Sequence, residues 1–186
     1  MMRIIVIGVM VGLSVISLCP QSYVLVRTDE WVCKWATDSF ALQWRHSVEK
    51  QLWQDHYQKN KQSLILTHSH IQSFGAGVPS TGASIPAPDG FVGIKHDLNL
   101  SEINWIVSAR MQGVMIEPTQ GYHVEIYRYV DDYTTINIQS KQQLAIKWWW
   151  WALFGNLMAC DEMFLSDTDK NINERGHYDR HQRADF

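Results

Sequence analysis

The sequence predicts a mainly β protein: a small β-sandwich or barrel on an N-terminal membrane anchor, with a C-terminal membrane or interfacial helix as a further element. Three observations lead there. Short runs of aromatic and β-branched residues, several of them alternating with polar ones, recur from Tyr23 to Gln139. No stretch in that region has the apolar period of a soluble amphipathic helix. Two apolar segments, Ile4 to Cys19 and Leu144 to Cys160, lie outside it. The organisation that follows is 1–26 as a signal anchor or signal peptide, 27–140 as the β domain, 141–160 as a Trp-rich apolar segment and 161–186 as a charged tail.

Composition bounds the rest. The 186 residues suffice for one ordinary domain with terminal extensions. With 46% hydrophobic and 19% charged residues the chain has the means to pack a core. A net charge of −3 carries none of the basic excess of a nucleic-acid binder, and no nucleic-acid partner is expected. Cys19, Cys33 and Cys160 lack metal-ligand spacing and form no Cys-x-x-Cys motif. An oxidising compartment would allow one disulfide, but Cys19 and Cys160 sit in apolar segments, and all three read as structural or free.

The elements follow in order. Ile4 to Cys19 holds no charge and follows Arg3, the pattern of a secretory signal or anchor. The uncharged stretch continues to Val26, long enough for a bilayer core of roughly 30 Å. Leu18 stands where a lipoprotein box needs a small residue, so an uncleaved anchor is favoured. Arg3 on the cytoplasmic side would send the following domain outward. Phe40 to Trp44, Leu64 to Leu66, Ile103 to Val107 and Tyr122 to Tyr129 read as strands, and Asp131-Asp132 as a turn before a strand from Tyr133 to Ile138. Between Gly75 and Gly93, five glycines and three prolines cannot sustain a ladder, and the stretch reads as one exposed loop. Leu144 to Cys160, with Trp148 to Trp151 in succession, fits a short membrane span, an interfacial helix or a Trp-rich core strand. Membrane lipids are therefore expected partners. The tail from Asp161 to Phe186, with His177 and His181, reads as solvated.

Two motifs are distinctive. Phe40-Ala41-Leu42-Gln43-Trp44-Arg45-His46-Ser47-Val48-Glu49-Lys50 leads through Trp53, Asp55 and Tyr57 to Ser73-Phe74-Gly75-Ala76-Gly77-Val78-Pro79. In this order they resemble the bacterial family catalogued as domain of unknown function 1850, over about residues 24–130. Asp55 stands where the family pattern has a glutamate. The resemblance implies an accessory protein of a TRAP-type solute transporter of the TAXI class, held at the inner membrane and facing the periplasm. Its partners would be the transporter's membrane subunit or its TAXI solute-binding protein. The binding residues it singles out are His46, Ser47, Glu49, Gly75, Gly77 and Pro79.

The residues themselves argue against catalysis. On a strand His46 and Ser47 would point to opposite faces, and no Gly-x-Ser-x-Gly elbow is present. The pair reads better as the end of a strand, its polar groups fixing the following turn. Gly75 to Pro79 lacks the Gly-Lys-Ser/Thr of a phosphate loop. His68 and His70, two apart, would share a strand face, and His56 or His46 could complete a metal site. No third ligand sits at a recognisable spacing, so no metal or other cofactor is assigned. The alternative to the accessory role is a periplasmic module binding a ligand or metal through this histidine-rich face.

Overall fold

The computed structural model describes residues 20–72, 82–119, 121–144 and 158–160. Within them lie twelve strands: β1 (Pro20–Arg27), β2 (Val32–Trp35), β3 (Ser39–Arg45), β4 (Leu52–Lys59), β5 (Leu64–Ile71), β6 (Ser84–Ile85), β7 (Val92–Leu100), β8 (Ile103–Val107), β9 (Val114–Glu117), β10 (Tyr122–Val124), β11 (Thr134–Leu144) and β12 (Met158–Ala159). They form a five-stranded sheet in the order β12-β2-β1-β11-β8 and a seven-stranded sheet in the order β10-β9-β3-β4-β5-β7-β6. The mainly β reading thus takes the form of two sheets.

Alternation builds the layer between them. Val24 and Val26 of β1 and Ile136 and Ile138 of β11 are fully buried from one sheet, and Phe40 and Leu42 of β3 and Leu64 of β5 from the other. All belong to one apolar cluster, which Trp35, Tyr57, Trp105 and Met115 extend. Each such side chain contributes on the order of 1.5–3 kcal/mol on leaving water. Phe40 stacks on Tyr57 with ring centroids 5.2 Å apart. Gly113 lets β8 lie close: a Cβ there would stand 2.9 Å from the Trp105 ring.

The sequence-read strands at Phe40 to Trp44, Leu64 to Leu66 and Ile103 to Val107 are present as β3, β5 and β8, and the Asp131-Asp132 turn closes through Thr134 N–H to the Asp131 carbonyl at 3.2 Å. Others differ. The run read as one strand from Tyr122 to Tyr129 stops at Val124 and continues as a 3₁₀ turn, Ile126–Arg128, which buries Ile126 completely. The supposed loop from Gly75 to Gly93 contains β6 and the start of β7. Gly93 is a strand residue there because β6 passes so close that a Cβ would meet the Ile85 carbonyl oxygen at 2.7 Å.

The ends of the domain also shift. β1 begins at Pro20 and pairs along its whole length with β11, from Pro20↔Leu144 to Arg27↔Asn137. Residues 20–26 and 141–144 therefore belong to the sheet rather than to the apolar segments beside it. A continuous apolar run and a strand buried on one face and half-covered on the other look alike in sequence. At the far end of the Trp-rich segment, β12 pairs in parallel with β2, and Cys160 is disulfide-bonded to Cys33 across 127 residues. Apolar surroundings, which argued for unpaired thiols, are where this bond sits: both cysteines are buried. Among the described residues no helix is long and apolar enough to cross a membrane. Residues 1–19, the remainder of the anchor expected over 1–26, residues 145–157, with Trp148 to Trp151, and the tail from 161 lie outside the described residues.

Candidate functional site

The His-Ser-Val-Glu motif forms the turn of the β3–β4 hairpin. The last ladder pair is Arg45↔Leu52, and His46 closes the loop beyond it in three ways. Its N–H donates to the Gln51 carbonyl at 2.8 Å, and its carbonyl accepts from Lys50 N–H at 3.0 Å. Its Nδ1 accepts from Glu49 N–H at 3.3 Å, which places the proton of the neutral ring on Nε2. The ring stacks on Trp53, centroids 5.1 Å apart. Lys50 takes the left-handed φ of 60° that ends such a turn, and its ammonium donates to the Ser47 carbonyl at 2.6 Å. Arg45 reaches the Lys50 carbonyl at 2.7 Å. These bonds give His46 a turn-fixing role. Ser47 and Val48 stand exposed at the tip, Val48 at 81%.

Gly75, Gly77 and Pro79 lie outside the described residues. The chain leading to them is placed, however. Gln72 N–H donates to the Leu52 carbonyl at 3.1 Å, and the Gln72 side chain accepts from Leu52 N–H at 2.9 Å. Gln72 thus lies at the same end of the sheet as the His46 turn.

The second feature lies on the outer face of the same sheet. His56 of β4 pairs with His68 of β5, and His70 is two residues further along. The His56 and His68 rings stack at 4.1 Å, and each lies 4.9 Å from the His70 ring. One ring nitrogen from each residue lies within 4.8 Å of the other two. A β-bulge creates this grouping. Tyr57 pairs with Leu66 but His56 with His68, leaving Thr67 as the extra residue. The Thr67 hydroxyl donates to the His56 carbonyl at 3.1 Å and, its proton spent, accepts from His68 Nδ1–H at 2.9 Å.

Burial and then the neighbouring His68 and His70 rings press His56 down to about 4, and burial first lowers His68 and His70 as well. All three are therefore neutral at pH 7, with lone pairs available. Among the described residues neither His56 Nε2 nor His70 Nδ1 has a hydrogen-bond partner, although both are shielded from water. An orphaned buried polar atom costs roughly 1–3 kcal/mol, so both nitrogens would gain from a ligand. The donor set, three imidazoles, suits a zinc- or copper-like ion rather than calcium or magnesium.

Behind this face, toward the core, Asp55 accepts hydrogen bonds from the Ser69 hydroxyl and, at 3.3 Å, from Tyr57. His96 Nε2 lies 3.0 Å from the same Ser69 oxygen. Burial raises the Asp55 carboxyl, against the opposing pull of Ser69, Tyr57 and His96, and burial likewise raises Tyr57. Serine, histidine and aspartate are together, but the serine proton goes to the carboxylate rather than to the imidazole. That order gives a satisfied internal network rather than an activated nucleophile.

Sequence reasoning identified the His68/His70 pair and named His56 as a potential partner; His46, the other, is committed to the hairpin turn. The bulge that joins His56 to the pair, and the whole Asp55 network, went unread. A hairpin count from the loop at 60–63 would have brought His56 to within one residue of His68.

Fold and site together define a disulfide-closed, two-sheet β domain whose histidine cluster and Asp55 network lie on its larger sheet. Residues 40–125 match the family model described as Domain of unknown function (DUF1850). That span runs from the second residue of β3 to just past β10, taking in the strands of the seven-stranded sheet, and supports the resemblance carried by His46 to Glu49. No curated protein and no solved structure matches the chain.

Proposed function

We propose that this chain is a non-catalytic accessory protein of a bacterial envelope solute transporter of the TRAP type, TAXI class, held at the inner membrane with its β domain in the periplasm. The observation that carries the reading is the family match over the larger sheet, taken with the role that family resemblance implies. The Cys33–Cys160 bond adds support, since disulfides persist in oxidising compartments such as the periplasm. Arg3 and the uncharged stretch from Ile4 to Cys19, the part of the run left outside β1, are the anchor in this reading. The contact end is the one that carries the His46 turn and Gln72. There Ser47 and Val48 stand exposed, with half-buried Glu49 behind them; Gly75, Gly77 and Pro79, which follow Gln72 in the chain, are the further contact residues of this reading. Its partner is the transporter's membrane subunit or its TAXI solute-binding protein.

The test is affinity purification of the tagged full chain from native membranes, with mass spectrometry of what accompanies it. Transporter subunits should co-purify from the parent, and Val48→Glu at the exposed tip should lose them while the domain still melts as before. Recovery of the chain without any transporter subunit, in mild detergent and after cross-linking, would sink the proposal.

A further inference from the structure

We propose that His56, His68 and His70 form a three-imidazole site for a single divalent transition-metal ion of the zinc or copper kind, open at one coordination position. The inference is independent of the accessory role and stands on the outer face of the seven-stranded sheet alone.

Two neighbouring strands carry the three ligands, so the backbone beneath them is held by the β4–β5 ladder on both sides of the bulge. A tetrahedral zinc ion with Zn–N bonds of 2.0–2.1 Å keeps its ligand atoms about 3.4 Å apart. One ring nitrogen from each of the three histidines already lies within 4.8 Å of the other two. Closing the remainder takes side-chain rotation on the order of an ångström, with no change of register. The hydrogen-bond pattern assigns the ligand atoms. Thr67 occupies His68 Nδ1 and thereby fixes the tautomer that leaves Nε2 with its lone pair free. His56 Nε2 and His70 Nδ1 are buried and without partners. Thr67 thus stands to this site as hydrogen-bonding partners stand to metal-bound histidines elsewhere, and the bulge that extrudes it is what brings His68 beside His56. The nearby carboxylate, Asp55, is turned to the opposite side of the sheet and bonded there to Ser69 and Tyr57. The set is therefore neutral and all nitrogen. It discriminates against hard oxygen-seeking cations and leaves a fourth position for water or a group from a partner.

The experiment uses the full chain in detergent, stripped with chelator and dialysed, then titrated with Zn²⁺ and separately with Cu²⁺ by calorimetry. One equivalent should bind, and His56→Gln or His70→Gln should weaken it at least tenfold. Thr67→Val, which touches no ion, should weaken it about 10–100-fold through loss of His68 orientation. His46→Gln, and replacement of His177 and His181 in the tail, should leave the tight equivalent in place. Should the ligand variants unfold, imidazole ¹⁵N spectra of the parent decide the matter: three ring nitrogens, from His56, His68 and His70, must shift on adding one equivalent of Zn²⁺. Shifts confined to other histidines, binding abolished by the tail replacements, or no binding at micromolar ion overturns the proposal and leaves the trio as stacked neutral rings.

Discussion

The bond between Cys33 and Cys160 yields the largest single effect on stability that the fold predicts. The perturbation is Cys160→Ser, made in a Cys19→Ser background so that no replacement disulfide forms. The bond closes a loop across 127 residues, and loop-closure entropy for that length sets a ceiling of about 5 kcal/mol. The two ladder pairs of β12, Met158↔Cys33 and Ala159↔Lys34, are tethered by the same bond and should loosen with it. For a domain of this size each kcal/mol moves the melting temperature by roughly 3 °C, so a fall on the order of 15 °C is expected at the ceiling. Residual structure in the denatured chain reduces this, and a fall of about 8–15 °C is the working range. Both sulfurs are buried, so reductant added to the native protein should act slowly, whereas refolding in reductant should reproduce the variant. The assay is thermal unfolding by circular dichroism, with alkylation and intact mass to count thiols before heating. Free Cys33 and Cys160 in protein recovered from an oxidising compartment, or a melting temperature unmoved by Cys160→Ser, would refute the reasoning.

Three further perturbations test the site and the core. His46→Ala removes the acceptor for Glu49 N–H and the ring stacked on Trp53, and should cost about 1–2 kcal/mol in urea unfolding; an unchanged midpoint would show the turn holds without it. Gly113→Ala sets a Cβ 2.9 Å from the Trp105 ring and should cost about 1–3 kcal/mol while altering near-ultraviolet dichroism; a neutral result would mean β8 yields freely. Asp55→Asn tests the buried carboxyl. With its folded pKa raised by burial, Asp55 holds its proton longer in the folded than in the unfolded state. It therefore favours folding below the ordinary carboxylate range, and that advantage is lost as pH rises through the folded value. The amide has no such loss, so urea midpoints at pH 4, 5, 6 and 7 should shift progressively in favour of Asp55→Asn. A shift the other way would show that Ser69, Tyr57 and His96 outweigh burial.

Where the sequence was legible, one face of a strand was apolar and its neighbours followed the simple period of two. Phe40 and Leu42 point inward with Ala41 and Gln43 opposite, and β3 could be read from that alone. β4 gave no such signal: apart from Tyr57 its residues are all half-exposed or exposed, because one face carries the Asp55 network and the other the histidines. The ends misread for a different reason. Val24 and Val26 belong to a core strand, yet they continue an uncharged run from residue 4, and only the pairing with β11 distinguishes strand from membrane segment. The disulfide was hidden by distance, since nothing local relates residue 33 to residue 160.

The histidine face shows most clearly what a period of two cannot supply. Leu64 and Leu66 point into the core, and unbroken alternation would carry His68 and His70 in after them and turn Ser69 out. The structure has the reverse: Ser69 and Ile71 are buried, while His68 and His70 share the outer face with His56. One residue, Thr67, accounts for the inversion, because a bulge shifts every later side chain to the other face. No propensity marks it, as threonine is a good strand residue. The Thr67 hydroxyl bonds the His56 carbonyl and the His68 ring, contacts that exist only once β4 and β5 have met. The bulge sets which face His68 and His70 occupy, and the hydroxyl of the extruded Thr67 fixes the His68 tautomer. Register and ligand geometry are therefore one event: a substitution that removes the bulge should invert the face of β5 and dissolve the histidine cluster together.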